Sequence, residues 1–196
     1  MVAANKLPEL VAQFRQWLTA NYTAEEIDQL NVDDAGYPHW KEVAAYVTAL
    51  LAADGVAALT DDEQTDLLYL VARNWDLGWL IAWLSPGEQL SNLGVLKQAD
   101  FLRLAAKAAT LTPREFADAK YQFAVACRKF AALTPELERV LLALYREADD
   151  YTKTCALASL AKLRYPAIKD LAQQCWGQVS DEHAQLACLL VLAEHG

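Results

Sequence analysis

Two stretches near the C-terminal end of the chain decide its fold: residues 150–161, DYTKTCALASLA, and residues 182–193, EHAQLACLLVLA, correspond position by position. Each begins with an acidic residue and continues with small or aliphatic residues at equivalent positions. The same step repeated towards the N-terminus gives residues 118–127, DAKYQFAVAC, a fainter third copy. A period of this length predicts an array of similar structural units.

The segments between the copies supply a second helix for each unit. Residues 135–148 and 166–176 have helical periodicity, and each begins with proline, which is tolerated in the first turn of a helix. A single helix pair cannot bury both of its apolar faces, so successive pairs stack and share a continuous core. We therefore predict an all-α fold, an α-solenoid of antiparallel helix pairs with about ten helices.

An acidic turn, a helix of the type Ala-Leu-Ala-x-Leu and a second helix that begins with proline resemble the HEAT-like repeat family. Here residues 150–163, followed by Pro166, have this pattern, and the resemblance covers residues 112–196. The basic residue usual early in the inner helix is approximated by Lys153 and is replaced by Gln185 in the last copy. The resemblance implies a binding scaffold, since such solenoids serve mostly as surfaces for partners.

The remaining residues, 1–111, are predicted to form an irregular, acidic helical half of a single domain that spans residues 1–196. Threonine followed three residues later by glutamate is a capping box, which marks a helix start. Asn74 is predicted to cap a helix over residues 75–84, and Gly55 is predicted to end a helix through a positive φ. Helix starts are predicted at Thr23, Thr60 and Thr112, which begin capping boxes, and at Thr134, which precedes a proline.

Charge divides the chain as clearly as the repeat does. The net charge is −9, with fifteen acidic and five basic residues in 1–100 and eleven acidic and twelve basic residues in 101–196. The first half, at −10, repels nucleic acid and attracts a basic partner. No uncharged stretch approaches the roughly 20 residues of a membrane-spanning helix. We therefore expect a cytoplasmic protein that binds neither a membrane nor nucleic acid.

The sequence contains no motif of an established catalytic chemistry. It has no Gly-x-Ser-x-Gly elbow and no glycine-rich phosphate loop. Its four cysteines are widely spaced without a Cys-x-x-Cys pair, and at least three lie on apolar helical faces, which favours buried, inert thiols. The pairs Glu182-His183 and Glu194-His195 invert the His-Glu order of metal-binding HEAT-like proteins, and adjacent residues on a helix point about 100° apart. We interpret them as surface residues and expect no metal or other cofactor.

A partner-binding site is predicted in the acidic half instead. Trp75, Trp79 and Trp83 recur every four residues and form one helical stripe, which is typical of a core but also of a binding hot spot. Most carboxylate pairs lie at helix starts, where they stabilise the helix dipole. The pair at residues 33–34 differs, since its loop also contains aromatic side chains. The predicted partner-binding residues are Asp33, Asp34, Tyr37, Trp40, Asp61, Asp62, Glu63, Asp66, Trp75 and Trp79.

These features favour a non-enzymatic protein-binding scaffold whose acidic half holds a basic protein. Small acidic HEAT-like proteins of bacteria include cognate inhibitors of toxins, or immunity proteins, and the resemblance implies a function of that kind. The alternative is an enzyme or enzyme subunit on a HEAT-like scaffold, of the nucleic-acid glycosylase or bilin lyase type. That alternative requires a positive groove, whereas the scaffold requires a negative face.

Overall fold

The computed structural model describes residues 6–29, 32–74, 78–86, 96–147 and 149–195. It is 76% helix, and the described residues form no strand, apart from one isolated bridge between Pro86 and Leu96. None of the described helices is both long enough and apolar enough to span a membrane. The α-helices are α1 (Leu7–Asn21), α2 (Ala24–Asp28), α3 (Trp40–Asp54), α4 (Asp61–Arg73), α5 (Trp79–Leu84), α6 (Gln98–Thr110), α7 (Ala117–Cys127), α8 (Pro135–Tyr145), α9 (Asp150–Lys162), α10 (Ile168–Trp176) and α11 (Glu182–His195). Short 3-10 helices cover Asp34–Gly36, Val56–Ala58 and Arg114–Phe116.

The repeat register predicted from sequence matches the helix starts. Helices α9 and α11 begin at Asp150 and Glu182, which are the two aligned acidic residues. Helix α7 begins at Ala117, one residue before the acidic residue of the third copy. Helix α9 packs against α7, α8, α10 and α11, so that consecutive helices of this half are neighbours in space. The all-α prediction is therefore confirmed.

The N-terminal half packs onto the repeat half through α4. Helix α4 contacts α1 and α7, and Gln122 in α7 donates a hydrogen bond from Nε2 to the Val71 carbonyl oxygen at 2.9 Å. A cluster of buried apolar side chains continues from Leu7 in α1 to Val191 in α11. The two halves therefore share one hydrophobic core.

Local capping chemistry sets several helix starts as predicted. The hydroxyls of Thr23 and Thr60 accept hydrogen bonds from Glu26 N and Glu63 N, and both glutamates complete their capping boxes. The Thr134 hydroxyl accepts from Leu137 N at the start of α8. These interactions satisfy amides that have no partner inside the helix.

The capping box predicted at Thr112 is wrong. Residues Arg114–Phe116 form a 3-10 helix that has no side-chain cap, and α7 begins only at Ala117. The capping box would require the Glu115 side chain to bond to the Thr112 backbone amide. Instead, the Glu115 carboxylate lies 3.7 Å from the Arg15 guanidinium of α1. Phe116 is buried at the same point. Tertiary contacts thus replace the local cap.

Asn74 caps α5, but from a greater distance than predicted. The helix expected over residues 75–84 begins at Trp79, while residues 75–77 lie outside the described part of the chain. The Asn74 Oδ1 atom accepts a hydrogen bond from Leu80 N at 3.0 Å, six residues along the chain. Gly78 precedes α5 with φ +62°, and Gly55 ends α3 with the predicted positive φ, +68°.

Candidate functional site

Three of the predicted partner-binding residues lie in the core. Asp34 is 2% exposed, and Tyr37 and Trp40 are equally well buried. The Asp34 carboxylate lies 3.5 Å from the guanidinium of buried Arg73, and the Trp40 indole donates a hydrogen bond to the Asp34 carbonyl oxygen. The assignment of Asp34, Tyr37 and Trp40 to a partner-facing surface is therefore corrected: they are structural.

An aromatic cluster explains this burial. The Phe14 ring lies 4.9 Å from Tyr37 and 5.2 Å from Trp40, and Trp17 and Tyr69 also pack against it. Burial raises the pKa of the Tyr37 hydroxyl, with a further contribution from Glu42. The only sequence signal for this arrangement is Arg73, which ends an otherwise apolar segment and requires a buried anion.

The acidic residues of α4 do lie at the surface, but cations accompany them. Asp61 and Asp62 are exposed, and Glu63 is half-buried as the partner of Thr60. The Lys107 ammonium lies 2.5 Å from the Asp61 carboxylate. The Asp61 side chain is 87% exposed although that of Lys107 is only 13% exposed, so solvent screens the pair from one side and it contributes about 1 kcal/mol to stability. The cluster therefore chiefly supplies a local field.

Asp66 lies one turn further along α4 and is partly buried. Burial raises the pKa of its carboxyl group, Arg15 opposes this, and the neighbouring charges of Asp62 and Glu63 add to it. Asp66 is therefore coupled electrostatically to α1 as well as to its own helix. The net field of the α4 cluster is weaker than the sequence alone suggests.

The remaining predicted residues are divided between surface and undescribed positions. Asp33 is exposed, and its side chain accepts a hydrogen bond from Gly36 N at 3.2 Å. Trp79 is exposed and its ring centroid lies 6.5 Å from that of Trp83. Trp75 lies outside the described residues. Among the described residues, the acidic half thus offers Asp33, the α4 carboxylates and Trp79 at its surface.

A groove that sequence reasoning did not predict lies between α9 and α11. It has a volume of about 680 Å³. Tyr151 lines it, and 59% of the surface of this residue is exposed. The Tyr151 ring packs on that of Tyr121 in α7, with centroids 5.0 Å apart. The groove is lined by Arg128, Asp149, Asp150, Tyr151, Thr154, Cys155, Ala158, Asp181, His183, Ala184 and Ala187.

Three aspartates form an acidic rim on this groove, and the carboxylate of each accepts a hydrogen bond from a backbone amide. Asp149 accepts hydrogen bonds from Tyr151 N and Thr152 N as the N-cap of α9. Asp150 accepts from Ser180 N at 3.2 Å, which ties α9 to the approach to α11. Asp181 accepts from Ala184 N at 2.9 Å. The sequence pattern indicates only capping or solvation for the 149–150 pair, whereas the fold also places it beside an apolar concavity.

Arg128 is the one guanidinium among the residues that line the groove, against three carboxylates. Its Nε donates a hydrogen bond to the Ser159 hydroxyl at 3.5 Å, which directs it towards α9. With His183 neutral, these lining residues carry a charge of −2. The groove therefore favours a cationic ligand that also has apolar surface.

The thiols of the chain are poorly suited to nucleophilic chemistry. All four cysteines are buried, as predicted. Burial raises the pKa of Cys127 and of Cys188 to about 12, and burial also raises the pKa of Cys155 beside the groove. A thiol with a raised pKa stays protonated near neutral pH, and the thiolate is the reactive form. Within the described ranges, no group of three His, Cys, Asp or Glu side chains is arranged to hold a metal ion.

Comparison with known proteins assigns no family to the chain. No family model matches it, and no curated protein and no solved structure matches it either. Only the geometry and charge of the chain itself therefore bear on its function.

Proposed function

We propose that this chain is a non-enzymatic protein-binding scaffold that holds a basic protein in the groove between α9 and α11. In this proposal α7 to α11 form a HEAT-like solenoid. The most specific function that we propose for this scaffold is that of a cognate inhibitor of a basic toxin. The observation that carries the proposal is the rim of Asp149, Asp150 and Asp181 around an apolar concavity with an exposed tyrosine. Tyrosine is enriched among the residues that contribute most to binding at protein interfaces.

The groove suits a lysine or arginine side chain from a partner. Small side chains at Ala158, Ala184 and Ala187 leave room for the apolar stem of a long residue. The cationic head then reaches the carboxylates of the rim, while the stem stays against apolar surface. Phosphate groups would be repelled by the same carboxylates, which supports a protein partner over a nucleic acid.

The α4 cluster has a different part in this proposal. Asp61, Asp62 and Asp66 lie on another helix and do not line the groove. Their charges extend the negative field over about a Debye length, roughly 8 Å at physiological salt. They would therefore accelerate the approach of a basic partner and contribute little to the contact itself.

Affinity capture from the host lysate with two matched variants tests the proposal. The triple variant D149N/D150N/D181N removes three charges from the groove but keeps side chains that cap helices well. The variant D61N/D62N/D66N removes three charges from α4. We expect the wild type to capture a basic protein that salt releases, the groove variant to lose it and the α4 variant to retain it.

The opposite results would overturn the proposal in distinct ways. Equal capture by the wild type and the groove variant excludes the groove as the binding site. Selective loss in the α4 variant returns the site to the acidic half. Capture of nucleic acid, or of nothing at any salt concentration, contradicts the scaffold function itself.

A further inference from the structure

Helix α11 carries an apolar stripe on its solvent side. Leu186, Leu189 and Leu190 are 54%, 45% and 57% exposed. They follow the spacing i, i+3, i+4 and lie on one face of the helix, and Ala193 extends the face by one turn. The opposite face, with Ala184, Cys188 and Val191, is buried, and α11 packs against α9 and α10.

The internal repeat shows what such a stripe does elsewhere in the chain. The equivalent stripe one repeat earlier lies on α9, and α9 packs against α10 and α11, the next helix pair. Thr154, Leu157 and Ala161 are buried there, and Ala158 is half-buried. The pairs of equivalent positions are Thr154 and Leu186, Leu157 and Leu189, Ala158 and Leu190, and Ala161 and Ala193.

Trp176 in α10 extends this surface. Alignment of Pro166 with Pro135, a step of 31 residues where the copies themselves are 32 apart, places Trp176 at the position of Tyr145 in α8. Tyr145 is buried, and its hydroxyl donates a hydrogen bond to the Leu171 carbonyl oxygen of the next unit at 3.1 Å. Trp176 is exposed. We call Trp176 and the α11 stripe the end face, because both are exposed at positions whose equivalents one repeat earlier are largely buried.

Two polar side chains beside the stripe, His183 and Glu194, are complementary to those of a second, antiparallel α11 helix. His183 and Glu194 are both exposed and lie near opposite ends of α11. On a helix their separation places them about 20° apart around the axis and roughly 16 Å apart along it. Both therefore border the same edge of the stripe, one near each end, with Leu189 close to the midpoint.

We propose that the end face binds a second copy of this chain, with the two α11 helices antiparallel about a two-fold axis near Leu189. In an antiparallel pair, residues on one edge of a helix meet residues on the same edge of the other. His183 then meets the partner's Glu194, and the symmetry axis repeats this pair. In a parallel pair the two copies of this edge would lie on opposite sides of the contact, so the His183–Glu194 pairs would not form. The leucines supply the apolar contact and the imidazole–carboxylate pairs select the orientation.

Sedimentation velocity of the wild type and two matched variants tests the interface. L189E places a carboxylate at its centre, and V125E makes the same change at the exposed position two repeats earlier, in α7. We expect the wild-type mass to rise from 21.7 kDa towards twice that value over roughly 1–500 μM, the range for a weak dimer. L189E should weaken association by at least about tenfold, and V125E should not.

A wild type that stays monomeric over this range would overturn the proposal, as would equal effects of L189E and V125E. Masses that grow beyond a dimer would also overturn it, because a contact between unlike surfaces propagates into open filaments. Circular dichroism shows whether each variant retains its helix content. The leucines of the end face do not line the α9–α11 groove, although His183 beside them does. Loss of dimerisation in L189E with partner capture intact therefore separates this proposal from the proposed function.

A charge exchange tests the antiparallel orientation. E194K should weaken the dimer, because lysine then lies beside the partner's His183. The double variant H183E/E194K should restore it, because each new glutamate meets a new lysine. Both substitutions place charges that the helix dipole favours, so α11 itself is not weakened. Failure of the double variant to recover association excludes the antiparallel pairing.

Discussion

The N-terminal half and the repeat half of this protein use their acidic residues differently. In the N-terminal half, Asp34 is enclosed with Arg73 beneath an aromatic cluster around Phe14. In the repeat half, Asp149, Asp150 and Asp181 cap or tie helix starts and remain at a surface groove. An acid in the first setting serves the fold alone, whereas an acid in the second serves the fold and stays available to a ligand. The residue type does not distinguish the two roles.

Loss of the buried pair between Asp34 and Arg73 should lower the free energy of unfolding more than any other change considered. D34A leaves the Arg73 guanidinium buried without its carboxylate, which costs about 3–5 kcal/mol. Urea denaturation measures the loss in the free energy of unfolding. D61A, which breaks the exposed pair with Lys107, is the matched control and should change stability little. Similar losses in both variants would contradict the contrast between a buried and an exposed acid.

The next effect concerns the junction between the halves. Q122A removes the hydrogen bond from α7 to the Val71 carbonyl oxygen of α4. The Val71 carbonyl oxygen keeps its bond from Asn74 N at 3.2 Å, so the lost hydrogen bond costs about 0.5–1.5 kcal/mol, and the cavity left by the buried side chain adds to this loss. Thermal unfolding should show a lower midpoint with a single transition, because the two halves share a core. Two separate transitions in the wild type would show instead that the halves unfold independently.

A smaller effect separates local capping from tertiary control of helix starts. T60A removes a complete capping box and should cost about 1 kcal/mol. T112A alters a similar sequence pattern that makes no cap, because Glu115 lies beside Arg15. T112A should therefore have little effect on urea denaturation. Equal losses in the two variants would indicate that Thr112 does cap a helix in solution.

The smallest effect concerns Asp66. Its pKa is raised in the fold, mainly by burial, so the ionised carboxylate opposes folding above that pKa, and the opposition fades as the pH falls through it. D66N should therefore raise the unfolding midpoint slightly at pH 7. The difference from the wild type should disappear in acid, where both side chains are neutral. A midpoint that D66N lowers at pH 7 would show that attraction to Arg15 outweighs burial.

Features that depend only on neighbouring residues were predictable from the sequence. The caps at Thr23, Thr60 and Thr134 join atoms within three residues, so a short pattern contains all the information required. The constant spacing between the starts of the repeat copies, seen in α9 and α11, was likewise visible, because similar helices have similar sequences.

Which acidic residues are buried, and where a concavity forms, became clear only from the tertiary structure. Asp34 and Arg73 are 39 residues apart in the chain. Arg15 and Glu115 are further apart still, so no local pattern links either pair. The groove exists because α9 and α11 pack with small side chains between them, and its aspartates gain a second role only there. Local hydrogen bonds select helices, whereas burial depends on contacts between residues distant in sequence, and the position of a binding surface follows from burial.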